Sequence, residues 1–405
     1  MRNEPLDTAL PAGVDPRQYA RTLAQTYEAA LAGRTPPAHP RSVIVESWRR
    51  LRRQGLDPDR GADRARLPRG ELERRRAHSD LGGDVLATLR NGLLNVAEDA
   101  GHMMVIVDAD GWVLWRGGST AVRRRADNLG FVEGANWTED TVGTNAIGTS
   151  LVQDQAVQVH SAEHYVRAHH PWTCAAAPVR DTRDGRLLGA IDVSGPAATV
   201  HPTTLALVNA VARLAEAHLR EVRRSELDRL RAVAAPVLAK LKEPAVIADP
   251  NGWVAASSGL PPVDRLQLPD DPAAQRMWLP TLGHCSLEPV PGGVLLRQRG
   301  EEEAVSPARL VLDLRQPHRP TLTVHRDTCA WTHHLTGRHA DLLSALARHR
   351  AGLSAAELAD DLFGDRSRTV TVRAEISRLR KRLGELLDHR RPYRFREELE
   401  VVVDR

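Results

Sequence analysis

The sequence predicts a multidomain α+β protein, and three observations carry that expectation. Strand, turn, strand signatures recur about Asp-Gly and Asn-Gly turns: VIVDADGWVLW at 105–115, AAAPVRDTRDGRLLGAIDVSG at 175–195 and AVIADPNGWVAASSG at 245–259. Stretches of helical periodicity flank the first two, so helices cover an antiparallel sheet. Beyond residue 335 the pattern becomes helical and rich in arginine.

Composition narrows the class. With 405 residues, 41% of them hydrophobic and 27% charged, the chain has room for two to four globular domains. No run approaches the roughly 18 to 20 apolar residues of a bilayer span, and MRNEPLDTALPAG lacks the apolar centre of a secretion signal. A cytoplasmic protein without a membrane partner is expected. Cys174, Cys285 and Cys329 lie far apart with no CxxC pair, which suggests neither a disulfide framework nor a zinc knuckle. The formal charge is +4, yet the stretch 366–396 holds eleven basic residues against three acidic ones, a local +8 that attracts a polyanion.

The chain reads as a helical leader (1–80), a sensor-like α+β region (83–222), a connecting helix (203–235), a smaller β-rich module (236–330) and a helical tail (333–405). In the leader, RSVIVESWRRLRRQGLDP places Val43, Ile44, Trp48 and Leu51 at helical spacing with arginines on the other faces, a docking helix with a solvated basic face in preference to a DNA contact. The connecting helix sets Val208, Val211, Ala215, His218 and Val222 in a stripe. That stripe suits either a homodimer seam or packing on the chain's own sheet.

In the tail, Ser354 and Glu357 form a capping box for a helix that stops at Gly364. A third helix follows, with Val372, Ile376, Leu379 and Leu383 as its buried face. Arg373, Ser377 and Arg380, one step round, form an exposed stripe suited to base edges in the major groove. The terminal RRPYRFREELEVVVDR reads as a short basic hairpin, whose Arg390, Arg391 and Arg394, with Lys381 beside them, reach phosphates. In this order the elements make a winged helix-turn-helix, with double-stranded DNA as partner. The alternative is a small helical bundle with a solvated basic face.

The region 131–195 resembles the GAF domain of the acetoin- and glycerol-type catabolic activators. The resemblance rests on Gly134, Trp137, Glu139, GTNAIGT at 143–149, AEH at 162–164, Cys174, AAPVRD and the DVSG at 192–195, with Ser47, Trp48 and GLDP at 55–58 matching the leader of that family. It implies a small-molecule effector. The tail is similar to response-regulator winged helices through VRAEISRLRKRLG, and the 236–330 module reads as PAS-like. Those activators drive polymerase with ATP through a GxxxxGK[ST] loop, and no Gly-Lys pair occurs here. A one-component regulator acting without ATP hydrolysis is expected, with RNA polymerase a further candidate partner and no cofactor implied.

The candidate effector lining is Trp137, Thr141 and Asn145 of the Gly-rich loop, with His164 and Cys174. The alternative is that this run is only a turn and a helix cap. His160, His164, His169, His170 and Cys174 are compact enough to suggest a metal, haem or redox sensor, although a buried structural Cys174 is favoured. Two further alternatives are an interaction protein that makes no DNA contact and a sulfoxide-reducing enzyme built on Cys174. The enzyme lacks a resolving cysteine and any nucleophile elbow, HExxH or paired-carboxylate constellation.

Overall fold

The computed structural model describes residues 6–404 except 12, 62–64, 267, 269–275, 280–281, 300–308, 316–319, 327–328, 384–385, 389 and 398. The chain divides into two compact units, Met1–Val222 and Arg223–Arg405.

In the first unit, helices α1 (Pro16–Leu31), α2 (Ser42–Gln54), α3 (Arg69–His78) and α4 (Gly83–Asp99) precede strands β1 (Met103–Asp108) and β2 (Val113–Gly118). Then come α5 (Thr120–Asn128), the one-turn α6 (Glu139–Val142), α7 (Ala146–Gln153), β3 (Val157–His160), β4 (Trp172–Arg180) and β5 (Leu187–Pro196). The five strands form one antiparallel sheet in the order β2-β1-β5-β4-β3. Both predicted hairpins are present, about the Asp-Gly turns at 110–111 and 184–185.

The sheet separates two cores, because side chains alternate across a strand. On one face Met103, Val105, Val107, Cys174, Ala176 and Ala190 pack with leader residues Leu23, Tyr27, Ile44, Trp48 and Leu51 and with Phe131, Trp137 and Ile147. On the other, Met104, Ile106, Ala175, Ala177, Ile191 and Val193 pack with α4 and with Leu205, Val208, Val211, Ala215 and Leu219. The last group belongs to α8 (Pro202–Leu238), which runs past the 203–235 expected for the connector. Most of the stripe considered for a homodimer seam is therefore used on the chain's own sheet, since Val208, Val211 and Ala215 are buried there.

The leader is built into the first unit. Arg41 holds Glu163 with two bonds of 2.9 and 2.8 Å, and Glu163 is only 1% exposed. Arg50 grips Glu139 through Nε and Nη2 at 3.0 and 2.8 Å. Ser47 Oγ and Thr144 Oγ1 lie 2.6 Å apart, the Trp48 indole donates to the Glu163 carbonyl at 3.0 Å, and the Tyr27 hydroxyl donates to the Tyr165 carbonyl at 2.7 Å. Two of the arginines on the expected basic face are thus turned inward onto sensor carboxylates.

In the second unit, β6 (Ala245–Ala248), β7 (Val254–Ser258), β8 (Arg276–Leu279), β9 (Gly283–Val290) and β10 (Gly293–Gln298) form a sheet in the order β7-β6-β10-β9-β8. A second sheet holds β11 (Arg309–Asp313), β12 (Thr321–Arg326), β13 (Cys329–His334) and β14 (Glu400–Asp404) in the order β13-β12-β11-β14. Between its last two strands in sequence lie α9 (Gly337–Arg348), α10 (Ala355–Phe363) and α11 (Thr369–Leu383). One core runs from Val246 and Leu296 through Leu310, Leu322 and Trp331 to Leu342, Ile376 and Phe395. The expected boundary near 330–333 cuts across this core, because β14 pairs in parallel with β11 and the three helices form the crossover such pairing requires. The terminal hairpin is correspondingly shorter: an antiparallel bridge joins Leu387 to Phe395, a second joins Leu353 to Tyr393, and residues 400–404 leave to close the sheet.

Glu163 is buried with Arg41 as its counter-charge, so Arg41→Met strands a carboxylate away from water. The expected loss is about 3 kcal/mol of stability in urea unfolding, with Arg41→Met/Glu163→Gln recovering a large part of it.

Candidate functional site

The residues considered for an effector lie in the layer between β1, β5 and β4 and the loops that follow β2 and β3. Its Gly-rich run folds as two short helices pressed together. Asn145 caps α7, accepting from the Gly148 amide at 2.9 Å while its own amide donates to the Gly143 carbonyl at 2.8 Å. Gly148 lets α7 approach α6, since a Cβ there would stand 2.5 Å from the Glu139 nitrogen. Gly143 adopts φ +78°, which favours glycine. Thr149 donates to Glu139 at 2.6 Å, so the same carboxylate ties α7 and α2. Thr141 donates to Asn136 Oδ1 at 3.1 Å. The polar groups proposed as handles on Thr141 and Asn145 are engaged in turn and cap.

Trp137 differs. Its ring stacks on Phe131 at 3.6 Å and lies 5.3 Å from His169, while its buried Nε1–H has no hydrogen-bond partner. His164 is fully enclosed, with Nδ1 2.9 Å from the Ser161 carbonyl, and burial holds its pKa well below the usual histidine value, so the ring is neutral. Of the other histidines, His160 stacks on Tyr19 at 6.4 Å and His170 meets Tyr27 edge-on at 4.8 Å. His164 and His169 meet edge-on at 6.1 Å, and His170 Nε2 lies 3.1 Å from the His164 carbonyl, yet among the described residues no group of three or more His, Cys, Asp or Glu side chains is arranged to hold a metal ion. Cys174 sits on β4 opposite Val159 and Ser194, and burial pushes its thiol well above the ordinary range, which leaves little thiolate for redox chemistry.

Sequence reasoning passed over Asp192 as a separate site residue. It stands on the central strand β5 opposite Val105 and Ala176, so its side chain enters the same layer as theirs. It is 1% exposed; Ser194 Oγ donates to one carboxylate oxygen at 2.5 Å, and the other, Oδ1, has no hydrogen-bond partner. Burial pushes its pKa up to about 7. The signal was visible as one acidic residue inside the otherwise apolar run LLGAIDV.

In the second unit, α11 has the two faces expected of it. Val372, Ile376, Leu379 and Leu383 are at most 2% exposed, while Arg373 and Ser377 face outward. Arg380 departs from the reading. Its guanidinium donates to the Asp388 carbonyl and lies over the Tyr393 ring at 5.2 Å, because one further helical turn brings it over the terminal loop instead of solvent. Arg394 is likewise engaged, with Asp388 at 3.1 Å and Glu397 at 2.9 Å. Arg390 and Arg391 are exposed in the turn between Leu387 and Phe395. Lys381 lies in α11, with its side chain outside the described residues.

The raised pKa of Asp192 fixes a pH dependence. Since it exceeds the value of an unfolded Asp, the associated stability is complete below about pH 4 and is lost as pH rises through about 7. Asp192→Asn should remove this component, so that wild type loses on the order of a few kcal/mol relative to the variant between pH 4 and 8, read by urea unfolding. Parallel curves for the two proteins would show Asp192 to titrate normally.

The family described as MimR, N-terminal domain, matches residues 20–217. The acetoin dehydrogenase operon transcriptional activator of Bacillus subtilis is 36% identical over 189 residues, 46% of this chain and 31% of the activator. The chain thus spans about a third of that activator's length. Among solved structures, the E. coli DhaR(N)–DhaL complex gives a TM-score of 0.43 at 19% identity, covering 64% of this chain and 100% of that one, too loose a likeness to bear on the fold. An uncharacterized 47.3 kDa protein in the thcA 5′ region of Rhodococcus erythropolis is 31% identical over 394 residues, 96% of this chain and 72% of that protein. The chain therefore belongs to the family of the Rhodococcus protein, and its residues 20–217 are similar to the N-terminal domain of MimR.

Proposed function

We propose that the chain is a one-component transcriptional regulator: the first unit binds a small-molecule effector, and the C-terminal helices bind double-stranded DNA without ATP hydrolysis. The observation that carries this reading is the two-faced α11. Its apolar face is buried, its outer face carries Arg373 and Ser377, and the exposed Arg390 and Arg391 stand in the neighbouring turn. The α10–α11 order, with its Ser354/Glu357 capping box and the Gly364 stop at φ +63°, supports a helix-turn-helix. The bridges from Leu353 to Tyr393 and from Leu387 to Phe395 support a short wing.

On the sensing side, Trp137 and Asp192 each keep one buried polar atom without a hydrogen-bond partner in the layer that would hold the effector. Buried polar atoms are ordinarily satisfied, so such atoms are suited to a ligand or an ordered water. The protein acts as a homodimer in this reading, since two copies would place two recognition helices on repeated half-sites. The exposed Leu214 of α8 is then the better seam residue than the stripe facing the sheet. A cytoplasmic location fits this function, and among the described residues no helix is long and apolar enough to cross a membrane.

The test is DNA binding by the full chain to duplexes from near its own gene, followed by fluorescence anisotropy. Arg373→Ala should weaken specific binding roughly 10- to 100-fold. Arg390→Ala/Arg391→Ala should weaken specific and non-specific duplexes alike and flatten the salt dependence by up to about two counterions. An adaptor or an enzyme would be indifferent to both changes.

A further inference from the structure

Among the large hydrophobic residues described as exposed, Val370 stands furthest out, at 75%. It lies in the first turn of α11, and Arg373, Ala374 and Ser377 follow it at i+3, i+4 and i+7, all exposed. These four residues make one continuous stripe beside the buried face, and Val370 takes the place in it that sequence reasoning gave to Arg380. Around its N-terminal end stand Arg366 and Arg368, both exposed, with Asp360 and Asp365 only at 3.7 and 3.5 Å. The setting is a branched apolar side chain bared to water amid arginines.

We propose that Val370 reads the 5-methyl group of a thymine in the major groove, with Arg373 one turn along taking an adjacent base pair. The inference rests on the DNA-binding reading above and extends it to the kind of base pair selected. Charge selects the occupant: the arginines that flank Val370 complement a polyanion, and duplex DNA is a polyanion that also displays an apolar group in its major groove. That group is the thymine methyl, the natural counterpart of a small hydrophobic side chain in a groove-reading helix. Arginine in the same stripe supplies the two-bond contact to guanine that the valine cannot make.

The experiment begins with selection of a site by the full-length chain from a library of random duplexes. Each thymine of the enriched site is then replaced singly by deoxyuridine, which removes the methyl and nothing else. Wild type should bind roughly three- to fivefold more weakly at one thymine per half-site, the worth of one buried methyl. Val370→Ala should bind the thymine and uracil forms of that position within twofold of each other, whereas Arg373→Ala, although weaker overall, should keep the thymine preference. Val370 is exposed, so circular dichroism of the variant should match wild type. Uracil tolerated at every position, or a thymine preference surviving in Val370→Ala, overturns the proposal while leaving DNA binding in place. That outcome would leave the bare valine to a protein partner. Failure of wild type to enrich any site overturns the DNA-binding reading itself, and this inference with it.

Discussion

Two buried glutamates organise the first unit. Glu163 and Glu139 stand at the loops that cover the sensor sheet, 1% and 5% exposed, and a carboxylate so enclosed costs several kcal/mol unless a cation and hydrogen bonds answer it. Both cations come from the leader, Arg41 and Arg50. The leader is therefore a structural requirement of the sensor. Once the arginines are seated, α2 has little freedom, which sets Ser47 against Thr144 and the Trp48 indole against the Glu163 carbonyl. Motif residues more than ninety positions apart meet for this reason.

The same constraint decides which polar groups stay available. Glu139 draws Thr149 and Arg50 together, so α6 and α7 are clamped, and Asn145 is consumed in capping α7. Glu163 accepts from the His160 amide as well as from Arg41, which fixes the short turn leading to His164. The carboxylates and amides of these loops are thus engaged with one another, and Trp137 Nε1 and Asp192 Oδ1 are among the buried side-chain atoms of the first unit, with those of Thr26, His160 and Thr173, that make no hydrogen bond.

Much of this was legible in the sequence where the signal is local. The Asp-Gly turns fix both hairpins of the first sheet, and the capping box at Ser354 and Glu357 fixes the start of α10. The spacing of Val372, Ile376, Leu379 and Leu383 fixes the buried face of α11. What escaped depends on partners distant in the chain. Arg380 lies one step from the apolar positions and reads as exposed, yet Asp388 and Tyr393 arrive beneath it only after the chain has turned back. The run EVVVD reads as part of the terminal hairpin, but its partner is the parallel β11, some ninety residues earlier, and parallel pairing leaves no turn signal between the strands. Asp192 was in view inside a recognised motif, but only the pairing with Val105 and Ala176 shows which face it enters.

Strand β5 lies between the layer that holds Asp192 and the core of the connecting helix. Asp192 and Ser194 point into the layer, while Ile191 and Val193, alternating with them, share the opposite core with Val208, Val211 and Ala215 of α8. The strand that carries Asp192 thus bears with its other side on that helix. Within the second unit, the α8 residues Leu230, Ala234 and Leu238 lie in a core with Ala245, Ile247 and Leu295. An effector alters DNA binding only by its difference in affinity for two arrangements of the protein. Close-packed cores switch between discrete packings and do not deform smoothly.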